Sequence, residues 1–341
     1  MKYNNKQKKM QFNSRFILSS VIFLLSSVFF LLSSPPSYAQ QVNLSLNPPI
    51  VSAKIKPGKS IVIAYTAANW GDPLNLQFLI RPFIPVGQLG SLSLLPQLEG
   101  PVQFSLENTD ILLEKPFFFP AKEKKQAVVR ITLPPGIPDG DYYYLVLAET
   151  IPAFSVAGQS TGVASASIGS PLLISVTDSG ITEVKATIAE FSFKPAYEFT
   201  IGNSIVRIVD SAKELPIVCS VRNMGKHLIQ PQGTITDQIG SMKKSYSIIP
   251  QNILSNSQRI IKTYSQEDTS KSASTLVLSN LSLGTHKVTA EVIFAENTQM
   301  QSKSISFLAL PIRLITVTIV ALMIVTLFFV TRLLQRRRTK T

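Results

Sequence analysis

From Leu314 to Thr331 the chain carries no charged residue. As a helix rising about 1.5 Å per residue, the run reaches roughly 27 Å, the short end of what a bilayer core requires. Leu333 and Leu334 lengthen it if Arg332 stretches its guanidinium back to the headgroups. Arg336, Arg337, Arg338 and Lys340 follow, and Lys and Arg stay preferentially on the cytoplasmic side. The sequence therefore predicts a membrane helix over residues 309–334 and a basic cytoplasmic tail over 335–341. Everything earlier lies outside the cytoplasm, which places a single-pass protein in the plasma membrane. A buried core helix is the plainer alternative, and the flanking basic residues argue against it.

The other end differs. Lys2, Lys6, Lys8, Lys9 and Arg15 precede an apolar, serine-containing run from Phe16 to Leu32, and Ser37-Tyr38-Ala39 follows. A basic start, a short apolar stretch and a small-x-small site predict a signal peptide over residues 1–39, cut after Ala39. An uncleaved anchor is the competing reading.

A net charge of +13 at first suggests nucleic acid. Five of the 33 Lys and Arg belong to the signal peptide, however, and six lie from Arg313 onward. The remaining 22 face all 20 acidic residues, so the outer part is nearly neutral. Its one basic cluster, Lys122, Lys124 and Lys125, contains Glu123, and no nucleic-acid footprint is expected. The lone Cys219 cannot form an internal disulfide, so the outer part must be held by its cores.

Between the ends, short runs rich in Val, Ile, Leu, Phe, Tyr and Thr alternate with Pro, Gly, Asn and Asp. Strands are expected at 60–67, 74–80, 126–133, 142–148 and 172–177. Further strands are expected at 205–209, 215–221, 233–236, 259–264, 274–278 and 287–294. No window holds a helical period for more than two turns, so the pattern is all-β and of the sandwich kind. A weak repeat divides it. Ile63 to Gly71, ending Asn69-Trp70-Gly71, aligns with Ile217 to Gly225, ending Asn223-Met224-Gly225. Gly140-Asp141-Tyr142 is echoed by Gly284-Thr285-His286. The expected organisation is one sandwich over 40–178 and a second over 179–308, meeting at Asp178-Ser179-Gly180.

The order of parts resembles the WxL-interacting proteins of Gram-positive bacteria. The resemblance rests on Pro48-Pro49, Lys56-Pro57-Gly58-Lys59, Asn69 and Gly140-Asp141-Tyr142 in the first domain. In the second it rests on Val221-Arg222-Asn223, Gly233, Pro250, Asn252, Ser255 and Arg259. It implies two tandem immunoglobulin-like β-sandwich domains on a C-terminal anchor, the first touching peptidoglycan and the second binding a partner surface protein. The chain departs from the family pattern at Tyr142 to Glu149, which contains no glycine.

Chemistry-bearing groups are few. His227, expected to be exposed beside its turn, and His286, expected to be packed in a strand, lack carboxylates at metal-ligand spacing. No phosphate loop occurs, and the Gly-x-Ser-x-Gly spacing of Gly158 to Gly162 has no helical period after it to build a nucleophile elbow. The sequence points to no enzyme, no cofactor and no metal. Three features suit binding instead. The segment Ser155 to Ser170, with Ser155, Gly158, Gln159 and Gly162, is too small and polar to build a core, and reads as a contact loop or a plain hairpin tip. Phe117-Phe118-Phe119, flanked by prolines, must expose at least one ring if it forms an alternating strand. Trp70 sits on a turn, where it either anchors a partner or covers its own core.

The leading expectation is a non-catalytic envelope protein that binds another surface protein or the cell wall. The alternatives are an accessory subunit assembling laterally through the membrane, with Thr316, Thr318 and Thr326 in the span, or a hydrolase with an unrecognised site.

Overall fold

The structure is a computed structural model that describes residues 23, 26–27, 41–108, 110–151, 166–264, 275–295 and 298–338. The expected signal peptide, apart from the helical Phe23, Ser26 and Ser27, lies outside the described residues, as does Lys340.

Period-two alternation decides the strands. In β8 (Lys124–Thr132), Ala127, Val129 and Ile131 are buried while Lys124 and Gln126 face water. That is the pattern of a half-buried strand. With β1 (Leu44–Asn47), β3 (Ser60–Asn69) and β6 (Gln103–Leu106) it forms a sheet ordered β1-β3-β8-β6. Facing it is a sheet ordered β2-β10-β9-β4-β5, with β7 (Phe117–Phe119) also paired to β4. Its strands are β2 (Val51–Ile55), β4 (Leu74–Val86), β5 (Ser91–Leu94), β9 (Gly140–Ile151) and β10 (Ser167–Val176). Tyr65, Phe78, Phe119, Ile131, Tyr144 and Leu172 meet between the layers. Each such side chain withdrawn from water contributes about 1.5–3 kcal/mol.

The second half repeats the plan. One sheet holds β11 (Ala186–Phe193), β14 (Leu215–Asn223) and β17 (Gln258–Ile260), with β18 (Leu276–Leu278) also on β14. The other is ordered β12-β13-β20-β19-β15-β16. Its members are β12 (Tyr197–Ile201), β13 (Ser204–Asp210), β15 (Gln232–Ile239), β16 (Met242–Ser247), β19 (Gly284–Ile293) and β20 (Gln301–Leu310). The parallel pair β2/β10 has its counterpart in β13/β20, and the antiparallel neighbours follow in the same order. The fold is all-β, two tandem immunoglobulin-like sandwiches followed by one apolar helix.

Three expectations shift. The strand expected over 259–264 stops at Ile260, because the chain then crosses sheets: Ile249 N donates to Lys262 O (2.9 Å) and Tyr264 N to Ser247 O (3.0 Å). The edge strands β5 and β12, exposed along their whole length, carry too weak an alternation to be read from sequence. Finally, β20 runs to Leu310, and the helix α1 spans Ile312–Arg338 instead of starting at 309. Phe307 and Ala309 are still core residues of the sandwich, and Pro311 then opens the helix, accepting from Ile315 N (3.0 Å). Over Ile312–Arg332 the mean hydropathy is 2.7 and no side chain is buried, so α1 is a candidate membrane span by length and composition.

Candidate functional site

Asn69 closes β3 with its side chain wholly buried. Its Oδ1 accepts from Gly71 N (3.0 Å), while Nδ2 is shared among the carbonyls of Asp72 (2.8 Å), Pro120 (3.1 Å) and Phe119 (3.3 Å). An Asn side chain that bonds the backbone two residues on makes such a turn on its own, and the two distant carbonyls tie it to β7. The turn also binds the N-terminal segment: Trp70 N donates to Asn43 O (2.7 Å) and Asp72 N to Gln41 O (2.8 Å). A Cβ at position 71 would overlap the Gln41 carbonyl, which is why glycine stands there.

Near this turn lie Trp70, Phe118 and the described residues on either side of 152–165. Trp70 is 52% exposed, with Lys124 Nζ 5.7 Å from its ring centroid. In β7, Phe119 is fully buried and Phe117 packs against the core, while Phe118 stands 62% exposed. Asn75 of β4 pairs with Phe118 on one side and Ile151 on the other. Ile151 and Ala166, held by Thr150 N to Ala166 O (2.9 Å), flank the Ser/Gly/Ala segment. Ile151 and Ala166 therefore lie at the same end of the sandwich. Ser155, Gly158, Gln159 and Gly162 themselves lie outside the described residues. Along its last part, Ser167 to Ser170 belong to β10, with Ser170 buried.

The equivalent turn of the second sandwich has the same construction. Asn223 Oδ1 accepts from Gly225 N (2.9 Å), and Nδ2 is shared among the carbonyls of His227 (2.8 Å), Ile253 (3.1 Å) and Leu254 (3.1 Å). Met224 N donates to Lys185 O (2.7 Å), so residues 183–185 take the place of 41–43. Here, however, the turn is seated on the first sandwich. Asp141, its side chain fully buried, accepts from Leu228 N (2.6 Å) and meets His227 Nδ1 (3.0 Å). Asp141 N donates to Lys226 O (3.1 Å). The Tyr143 hydroxyl donates to Asp141 Oδ2 (2.8 Å) and accepts from Ser255 N (2.8 Å). Burial foremost, and then the Asp141 carboxylate, hold that hydroxyl protonated well above the ordinary tyrosine range. Phe83, Leu173 and Leu254 close the junction as a small third core. Beside it a cleft of about 170 Å³ opens between Val86, Leu92 and Arg259.

His227, expected on the surface, is thus buried, because a carboxylate from the other sandwich covers it. His286 is buried as expected, stacked on Phe307, with Nδ1 facing Asp237 Oδ1 (2.9 Å) and Nε2 facing Ser282 O (2.8 Å). A cavity of about 390 Å³ adjoins it. Both of its ring nitrogens are engaged, so it has none to offer a nucleophile. Among the described residues no group of three or more His, Cys, Asp or Glu converges as a metal site. Burial pushes the Cys219 thiol up to about 12, against a weaker pull from Lys303. That cysteine is a packed hydrophobe.

In α1 the Thr316, Thr318 and Thr326 hydroxyls donate back to the carbonyls of Arg313, Leu314 and Met323 (2.8 Å each). Arg332 folds over Phe328, 5.3 Å from the ring centroid, and Arg336, Arg337 and Arg338 continue the helix.

No family model matches the sequence, and no curated protein does. Among solved structures the chain is similar to the class 5 fimbriae chaperone CfaA, with 14% identity and a TM-score of 0.33 over 79% of this chain and all of that one. It is also similar to the E. coli chaperone DraB, with 15% identity and a TM-score of 0.31 over 79% of this chain and 98% of that one. A third is the CsuC-CsuE chaperone-tip adhesion subunit complex of Acinetobacter baumannii, with 12% identity and a TM-score of 0.33 over 79% and 99%. At those scores the fold assignment rests on this chain's own sheets.

Proposed function

We propose that this chain is a non-catalytic, membrane-anchored cell-envelope protein that binds another surface protein or a cell-wall polymer through the open end of its first sandwich. One observation carries the reading. Trp70, the exposed Phe118 and the base of the Ser155–Ser170 segment share one end, and the homologous end of the second sandwich is itself an interface. An end built to the same plan but left uncovered, with two large aromatics in water, has the chemistry of a contact surface. The uncharged run Leu314–Thr331 of α1 and the basic residues behind it support a single span with the tail in the cytoplasm and both sandwiches outside. The WxL-interacting resemblance fits that placement, although here the open end belongs to the first domain.

Affinity capture from cell envelopes with the full chain in detergent tests this. The wild-type chain should retain a protein or wall polymer that a Trp70→Ala/Phe118→Ala chain releases. Equal retention by both would overturn the assignment of the end, and retention of nothing by the wild type would overturn the binding function.

A further inference from the structure

The second sandwich has another end, opposite Asn223, and its strands fix what lies there. Asp210 pairs with Leu310, and Gly284 with Ala309. Ile239 faces both His286 and Met242, and Leu215 pairs with Leu278. The turns after β13 and β15, the loop between β18 and β19, and the exit into α1 therefore all emerge together. The connection from β11 to β12 joins them, since Phe193 pairs with Ile217 and Tyr197 with Ile208. Only Pro311 separates β20 from α1, and the Arg313 guanidinium reaches Asp210 Oδ2 (3.8 Å).

The side chains on this end are of two kinds. Met242 and Leu283, each 62% exposed, project from two of the turns. Around them Lys194, Lys213, Lys243, Lys244 and Arg313 are exposed, against one exposed carboxylate, Glu214. The other acids here are engaged: Asp210 is buried beside Arg313, and Asp237 is buried against His286. Met242, Lys243, Lys244 and Asn280 also border the 390 Å³ cavity. Bulky apolar tips ringed by cations are what an interfacial surface offers to a bilayer with anionic lipid.

We propose that this end is seated on the membrane, with Met242 and Leu283 in the headgroup layer and the four lysines and Arg313 on lipid phosphates. The inference rests on α1 being the span. With one residue between strand and helix there is no tether on which the sandwich could stand away from the lipid. The positive charge is complementary to an anionic leaflet, and that continuity with the span selects lipid as the occupant. The second sandwich is then held at both ends, by lipid below and by Asp141 above, and the first is carried outward with Trp70 at its tip.

The test uses the full chain in nanodiscs of phosphatidylcholine with about a third phosphatidylglycerol. A polarity-sensitive fluorophore is attached at Met242→Cys, Leu283→Cys, Phe118→Cys or Val320→Cys, one at a time. Buried Cys219 stays unlabelled. Lipids carrying a quencher near the headgroup should quench positions 242 and 283, deep-quencher lipids should quench 320, and neither should quench 118. Lys243→Gln with Lys244→Gln, or omission of phosphatidylglycerol, should lower quenching at 242 by about half. Quenching at 320 with 242 and 283 no different from 118 would overturn the seating and leave the anchor standing. No quenching at 320 would overturn both. Shielding at 242 that grows with the number of chains per disc, without quenching, would mean that a second copy covers this end, and would also overturn the proposal.

Discussion

The Asn69 and Asn223 turns are the same device in two situations. Each buries an asparagine that bonds its own i+2 glycine and draws in two carbonyls from far along the chain. Each binds the backbone of the segment that leads into its sandwich. They differ four residues on. His227 is buried under Asp141 of the other sandwich, whereas its counterpart Pro73 is exposed. The second turn meets that carboxylate with the His227 imidazole and the Leu228 N–H, and a proline has no imidazole to take the same part in the first. The difference teaches that a β-sandwich end becomes an interface by what its turn donates, while the turn itself is set by one asparagine and one glycine.

The comparison can be broken most forcefully at its asymmetric point. Asp141→Ala leaves Leu228 N and His227 facing an emptied, buried site and should cost roughly 3–5 kcal/mol of docking between the sandwiches. Small-angle scattering should show the chain lengthening or flexing. Cys219 should remain protected from alkylation, because the second core is untouched. Loss of that protection would mean that the two sandwiches fold as one unit.

Next come the asparagines. Asn223→Ala orphans a glycine N–H and carbonyls inside a closed junction and should destabilise by about 3 kcal/mol. Asn69→Ala, where water can reach part of the site, should cost about 2 kcal/mol. Urea unfolding of the detergent-solubilised chain measures both, and the reverse order would contradict the open-versus-covered distinction. Cys219 alkylation should accelerate in Asn223→Ala and hardly at all in Asn69→Ala.

The smallest effect on stability is expected where binding should matter most. Trp70→Ala and Phe118→Ala remove exposed rings and should change unfolding by no more than about 0.5 kcal/mol. A larger loss would assign Trp70 to covering its own core.

What the sequence disclosed follows the range of the interactions. The Asn-x-Gly turns were legible because their first bond spans two residues. Their remaining acceptors, Phe119 and Pro120 or Ile253 and Leu254, lie 30 to 51 residues away and leave no local trace. His227 was misplaced for the same reason, since Asp141 is 86 residues distant in another sandwich. Strong alternation made β3, β8 and β19 readable, whereas β5 and β12 are edge strands with no buried face to mark them. The end of β20 was hidden differently: Leu308, Ala309 and Leu310 merge with the apolar run of α1, and only pairing with β19 separates strand from helix. That Trp70, Phe118 and the residues on either side of 152–165 share one end could not be read from positions spread over a hundred residues. It required the register of β4 between β7 and β9.

The most direct test places a photo-crosslinking amino acid at Trp70, at Phe118 and, as a reference, at the exposed Ser302 of β20, in the full chain on intact cells. The open-end account predicts that positions 70 and 118 yield the same adduct with an envelope component while 302 yields none. Adducts of equal yield at all three positions, or none at 70 and 118, would contradict it.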